Sequence, residues 1–191
     1  MMRSACNRRR WPAAASLALV ATFLGAPVMA TRQTPASAAD VAVTAALLYN
    51  FAKFAEWPGL ADSATLVACV VGDSPIAEAL THIVRGKEVG GHRFDVVQPT
   101  DGATWGDCHL LFIADGQASR AGAGLAGIRS LPVLTASEDK GFSRSGGIVE
   151  FYLDAGKMRF VINLDAAERS GLRLSSRLLG LATVIRDRDV R

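Results

Sequence analysis

The period of the apolar residues changes along this chain, and each change marks an element. Leu47, Leu48, Phe51, Phe54 and Ala55 recur at helical spacing after Asp40, which predicts an amphipathic helix capped by Asp40 and stopped by Pro58. Leu66–Val71 is a short continuous apolar run, the pattern of a strand buried on both faces. Gly72-Asp-Ser-Pro75 turns that strand into a second helix, with Asp73 or Ser74 as cap and Pro75 at its first position. Further strands are predicted at Phe94–Val97 (after the Gly90-Gly91 turn), His109–Ala114 and Pro132–Thr135, with a helix near Gln117–Ile128. Strands alternating with helices predict an α/β fold with a mostly parallel central sheet flanked by helices.

The pattern shifts after Gly146-Gly147. Ile148–Leu153 and Met158–Leu164, separated by Asp154-Ala-Gly-Lys157, predict a C-terminal hairpin with a glycine-containing turn. Asp165–Ser170 predicts a short helix ended by Gly171, and a terminal helix runs from Ser175 to about Ile185. No internal repeat, low-complexity tract or second boundary interrupts this order, which predicts a single domain over residues 40–186 and a charged tail at 187–191.

The first thirty residues have a different character. Arg3, Arg8, Arg9 and Arg10 precede an uncharged, mostly apolar stretch from Trp11 to Ala30, ending in Val28-Met-Ala30. This is the three-part pattern of a secretory signal peptide, residues 1–30, removed on export. Gly25 and Pro27 argue against an uncleaved anchor, and the absence of Cys after the cleavage site argues against a lipoprotein. Residues 31–39 are small and polar, a flexible start to the mature chain. Removing the four leader arginines from 21 basic residues leaves 17 against 18 acidic ones, a net charge of −1. The basic character of the whole chain therefore belongs to the leader and is no sign of nucleic-acid or anionic-lipid binding. Beyond Cys6 in the leader, Cys69 and Cys108 remain. Two cysteines in an oxidising compartment are candidates for one disulfide, subject to geometry.

Motifs for catalysis are missing. Gly122-Ala-Gly-Leu-Ala-Gly127 spells a dinucleotide fingerprint, but the preceding strand ends near Ala114 and the glycines fall late in the next helix. Its expected role is a small-residue helix surface that packs closely or frays. His82, His92 and His109 have no metal-ligand spacing, and no nucleophile elbow accompanies them. The scattered carboxylates, Asp40, Asp73, Asp101, Asp139 and Asp165, read as caps and turn residues. The expectation is no enzyme, no cofactor and no metal.

Two clusters stand out instead. Tyr49-Asn-Phe-Ala-Lys-Phe-Ala-Glu-Trp-Pro58 gathers aromatics around Lys53 and Glu56; Tyr49, Lys53 and Glu56 share one helix face and Trp57 lies at the helix exit. Phe51 and Phe54 belong to the core stripe, whereas Tyr49, Lys53 and Trp57 suit either an interface or a structural role. The second cluster is Arg159 and Asn163, four apart on one side of a strand, with Arg173 and Ser175. It suits a polar binding surface or a buried hydrogen-bond network, and Ser175 or Ser176 can also cap the last helix.

The blocks Leu48–Pro58, Cys69-Val-Val-Gly-Asp-Ser-Pro75, Cys108–Ile113, Pro132–Ser137, Gly141-Phe142, Gly146-Gly-Ile148, Arg159–Asn163 and Gly171–Leu179 follow one another in an order and spacing that resemble the YfiR family of small periplasmic proteins, from about Val43 to Ile185. The resemblance implies an α/β fold that tends to form a homodimer. It also implies repression of an inner-membrane diguanylate cyclase by holding its periplasmic sensor domain inactive, with release that depends on envelope redox state and raises cyclic-di-GMP and biofilm growth. Cys69 and Cys108 match a family cysteine pair. A second pair that some relatives carry in the 140–152 region is absent, since Phe142, Ser143, Ser145 and Phe151 stand there.

The functional expectation is a periplasmic repressor that docks on an inner-membrane sensor or cyclase through Tyr49, Lys53, Glu56, Trp57, Arg159, Asn163, Arg173 and Ser175, modulated by Cys69 and Cys108. It has no nucleic-acid partner and does not insert into the membrane once the signal is cleaved. The alternative is a small-molecule binding module serving a membrane receptor, its ligand at the strand ends near Gly72–Pro75 or Ala114–Gln117.

Overall fold

The computed structural model describes residues 37–100 and 102–190. The signal segment, the beginning of the 31–39 stretch and Asp101 lie outside the described residues. Helix α1 (Ala38–Phe54) starts earlier than Asp40 because Ser37 is the cap and Asp40 closes a capping box. Ser37 Oγ accepts from Asp40 N at 3.1 Å, and Asp40 Oδ2 accepts from Ser37 N at 3.2 Å. Residues 37–39 are therefore the start of a helix, not part of a flexible lead-in. The other end also differs from expectation. Ala55–Glu56 (β1) turns extended ahead of Pro58 and pairs antiparallel with Arg173–Leu174 (β9), so the helix stops at Phe54.

The main sheet contains β2 (Leu66–Val71), β3 (Glu88–Val89), β4 (His92–Val97), β5 (Leu110–Ile113), β6 (Leu134–Ser137), β7 (Val149–Asp154), β8 (Lys157–Asn163) and β10 (Thr183–Ile185). Their spatial order is β10-β8-β7-β6-β5-β2-β4-β3. The joins β4/β2, β2/β5, β5/β6, β6/β7 and β8/β10 are parallel, while the predicted hairpin β7/β8 and the short β3/β4 are antiparallel. The fold is thus α/β with a mostly parallel central sheet.

Side-chain alternation splits the core into two layers. Ala68, Val70, Leu110, Phe112, Leu134 and Ala136 face α1 and α2 (Ile76–Val84). There Phe51, fully buried, meets the edges of Phe151 at 5.8 Å and Phe160 at 5.1 Å. Cys69, Leu111 and Ile113 face the other way, toward Trp105 in a 3-10 helix (Gly102–Asp107), Ile128 of α3 (Gly122–Ile128) and Phe142. Cys69 and Cys108 form a disulfide with Cα atoms 5.9 Å apart, tying β2 to the approach to β5 within this second layer.

The C-terminal region corrects the predicted terminal helix. Only α5 (Ser176–Leu179) is helical; the chain turns at Gly180, and Thr183–Ile185 becomes the edge strand beside β8. Three consecutive β-branched residues favour extended backbone, and β8 presents an open ladder for them to pair with. The charged tail packs on the α4 region: Asp187–Val190 is a 3-10 helix, and Asp187 accepts from Asn163 Nδ2 at 3.0 Å and from Arg169 in α4 (Leu164–Arg169). The helix predicted near Gln117 begins only at Gly122, after a turn in which Gly116 adopts φ of +73°. Among the described residues, no helix is long and apolar enough to cross a membrane.

Candidate functional site

Helix α1 ends in a ridge of rings overlaid by cations. Tyr49 is half-buried, its ring edge-on to Phe94 at 6.2 Å, and its face is flanked by Lys53 Nζ at 5.6 Å and Lys87 Nζ at 5.1 Å. Phe54 lies beside it, with Lys53 Nζ at 6.0 Å and the Arg177 guanidinium at 5.8 Å from the ring centroid. The β1/β9 pairing and the bond from Ser175 N to Phe54 O at 2.9 Å hold α5 against this helix end, and Glu56 stands opposite Arg173 in the register. Among the described residues none of these four cations forms an ion pair. Each cation–π contact contributes about 0.5–1 kcal/mol at such exposed sites, enough to bias where the cations sit. The result is an exposed basic surface with aromatic footing, and Glu56 as its near carboxylate.

The ridge includes Tyr49, Lys53, Glu56 and Arg173 from the sequence-predicted set, though Glu56 reaches it from β1 and not from a shared helix face. Lys87 and Arg177 were missed. Lys87 follows α2 in a loop with no period to read, and Arg177 reaches Phe54 only because β1 and β9 pair. Trp57 corrects the expectation of an accessible anchor: it is 9 % exposed, in the α1 core, with its indole N–H donating to His109 O at 3.1 Å. Asn163 is fully buried and structural. Its side chain caps α4 by accepting from Ala166 N at 3.0 Å and donates to Ser143 O at 2.8 Å. Arg159 shares the Asn163 side of β8 but remains exposed and pairs with Asp154 at 3.4 Å. Ser175 caps α5, accepting from Leu178 N at 3.3 Å.

A cleft of about 470 Å³ opens on the other layer, lined by Leu125, Ile128, Arg129, Lys140, Phe142 and Ile148 among others. At the crevice expected at Gly72–Pro75 the chain packs closely around Gly72. A Cβ added at Gly72 would sit 3.0 Å from Ala114 Cβ and 3.1 Å from Gln117 Cγ, so the ends of β2 and β5 close on each other. Of the predicted ligand region only Gly116 reaches the cleft.

Carboxylates brace the cleft wall. Glu150 accepts from Gly141 N at 3.0 Å, Ser143 N at 3.1 Å and Ser143 Oγ at 2.6 Å, while Phe142 packs flush on Gly147. These contacts hold the segment from Gly141 to Gly147 in place. Asp139 accepts from Gly116 N and, at 2.6 Å, from Ala118 N. Burial, with the hydrogen bond to and charge of Asp139, pushes the Asp115 carboxyl up. Burial chiefly raises Glu138 as well, helped by Asp115, Asp40 and Asp139 and opposed by the Thr44 hydroxyl donating to it at 3.1 Å. Across the sheet, burial and then His92 lower His109, whose Nδ1 accepts from Val67 N at 3.1 Å. Among the described residues no group of His, Cys, Asp and Glu is placed to hold a metal ion.

No curated protein matches the sequence. A family model described as YfiR/HmsC-like matches residues 41–183, which include β1 through β9 and both surfaces, and the chain belongs to that family.

Proposed function

We propose that this protein is a periplasmic regulator that docks on the periplasmic sensor domain of an inner-membrane diguanylate cyclase and holds the cyclase inactive. The family is periplasmic, regulatory and non-catalytic, and its members act on membrane sensor partners. The observation that carries the reading on this chain is the α1 ridge. Tyr49 and Phe54 are anchored in the fold, and Lys53, Lys87 and Arg177 are held over them without carboxylate partners among the described residues. Rigid aromatic and cationic side chains are the usual energetic anchors of an interface, and this surface suits an acidic face on the partner. Cys69 and Cys108, 1 % and 3 % exposed on the opposite layer, staple the sheet and stand apart from the ridge. Export removes residues 1–30, so that protein recovered from the periplasm begins at Thr31.

Deleting the gene and restoring it tests the reading. Deletion raises cellular cyclic-di-GMP, the wild-type gene returns it to the starting level, and a Lys53→Glu/Arg177→Glu double variant of normal stability does not. Unchanged cyclic-di-GMP on deletion would contradict the cyclase as target; full rescue by the double variant would contradict the ridge.

A further inference from the structure

We infer that the cleft beside α3 binds a small organic anion with an apolar or aromatic body. Its floor is apolar, formed by Leu125, Ile128, Phe142 and Ile148, the last three buried in the second layer or beneath it. Its rim carries two cations, Arg129 and Lys140, and among the described residues neither forms an ion pair. Arg129 is positioned without being consumed. Its carbonyl accepts from Ser170 Oγ at 3.1 Å, one guanidinium nitrogen donates to Ser145 O at 3.4 Å, and the group lies along Gly146. A guanidinium has five N–H donors in a planar fork, so most of this one remains available to a carboxylate. Asp139, the carboxylate on the lining, is turned to the Gly116 and Ala118 amides, and the two rim cations outnumber it.

These features select the ligand class. A neutral apolar molecule would leave the rim cations unpaired, whereas an inorganic anion would leave the floor wet. An organic anion satisfies both, since a planar carboxylate matches the arginine fork and its body covers the floor. The volume of about 470 Å³ falls in the range of small-molecule sites. The wall is held in advance by the bonds from Gly141 and Ser143 to Glu150 and by Phe142 against Gly147, which lowers the ordering cost of binding. The cleft and the α1 ridge lie on opposite layers, so each stands or falls without the other.

The test is an NMR titration of the purified protein with phenylacetate, indole-3-acetate and octanoate, alongside phenylacetamide and inorganic phosphate. At least one of the three organic anions shifts amides within 116–128 and 139–148 saturably. The matched amide and phosphate bind at least tenfold more weakly. Arg129→Gln weakens the organic anion at least tenfold and Lys140→Gln several-fold. Gly122→Phe, placed where an added Cβ meets no atom within 4 Å, competes for the space and abolishes the shifts. The inference is overturned if none of the three anions shifts these amides, if phosphate or the amide binds equally well, or if binding survives both Arg129→Gln and Lys140→Gln.

Discussion

The two faces of the sheet are sealed by different means. Toward α1, a helix of 17 residues lays Leu48, Phe51 and Ala52 onto the strands, and large interlocking side chains fill the layer. Toward α3, the covering helix has seven residues, three of them glycine, and the layer closes through close backbone approach and a covalent bond. A Cβ added at Gly124 would stand 2.5 Å from the Trp105 ring, so the absence of a side chain is what lets α3 lie against the 3-10 helix. Burying apolar area contributes about 25 cal/mol per Å², and small residues supply little of it. The bridge between Cys69 and Cys108 therefore does on the second face part of what bulk does on the first. The incomplete cover also leaves the cleft. The tightly packed face carries, at the end of its long helix, the ridge proposed to dock a macromolecule; the thinly covered face leaves room for a small molecule.

Five variants break or sharpen this contrast, in descending order of effect. Trp57→Ala removes a buried indole from the α1 layer and its bond to the His109 carbonyl, and lowers stability by about 3–5 kcal/mol in urea denaturation. Loss of partner capture in that variant then follows unfolding, whereas a folded variant of wild-type stability would return Trp57 to the surface. Replacing both cysteines by Ser costs about 4 kcal/mol at most for a sequence separation of 39 residues, and does so on the α3 side. An unchanged urea midpoint would show that the second layer needs no staple. Gly124→Val overpacks Trp105 and costs about 1–3 kcal/mol, with hydrogen exchange rising in 102–128 before the α1 layer responds. The reverse order of opening would abolish the distinction between the faces.

The smallest effects are in pH dependence, and they have opposite signs. His109 is lowered in the fold, so the unfolded chain takes up its proton first as the pH falls below the ordinary histidine value near 6.5. Its contribution is complete above that value and is lost as the pH drops through the lowered folded one. His109→Asn, which retains a side-chain acceptor for Val67 N–H, flattens the slope of the urea midpoint between pH 7.5 and 5.5. Glu138 is raised, so its ionisation costs stability as the pH climbs from the ordinary glutamate value near 4.5 through the raised one. Glu138→Gln keeps an acceptor for Thr44 and increases the midpoint at pH 7. A decrease there would assign the Glu138 charge a favourable partner.

How much of this was legible from the sequence follows the same division. The α1 layer has regular period and large residues, so the helix, the buried strands and the parallel sheet could be read from it, with cap and exit displaced by a few residues. The C-terminal hairpin was legible from Asp154-Ala-Gly-Lys157. Of the α3 layer only a helix near Gln117–Ile128 with a closely packing small-residue surface was legible; its start and its partners were not, because glycine and alanine have no period and the layer depends on Trp105 and Phe142 arriving from other segments. Leu178, Leu179, Leu181 and Ala182 mimic a helix that tertiary pairing of Thr183–Ile185 overrides. Among site residues, Tyr49 and Lys53 were readable as neighbours one helical turn apart. Trp57 was misplaced because composition does not distinguish an aromatic that anchors a partner from one that anchors its own sheet.

Placing a photo-crosslinking benzoylphenylalanine at position 53, 177 or 140 in the living cell tests the central claim, that the α1 ridge is what this protein presents to its partner. Adducts with a membrane diguanylate cyclase are expected from positions 53 and 177 and none from position 140, on the cleft. Adducts from position 140 with none from 53 or 177 would contradict it.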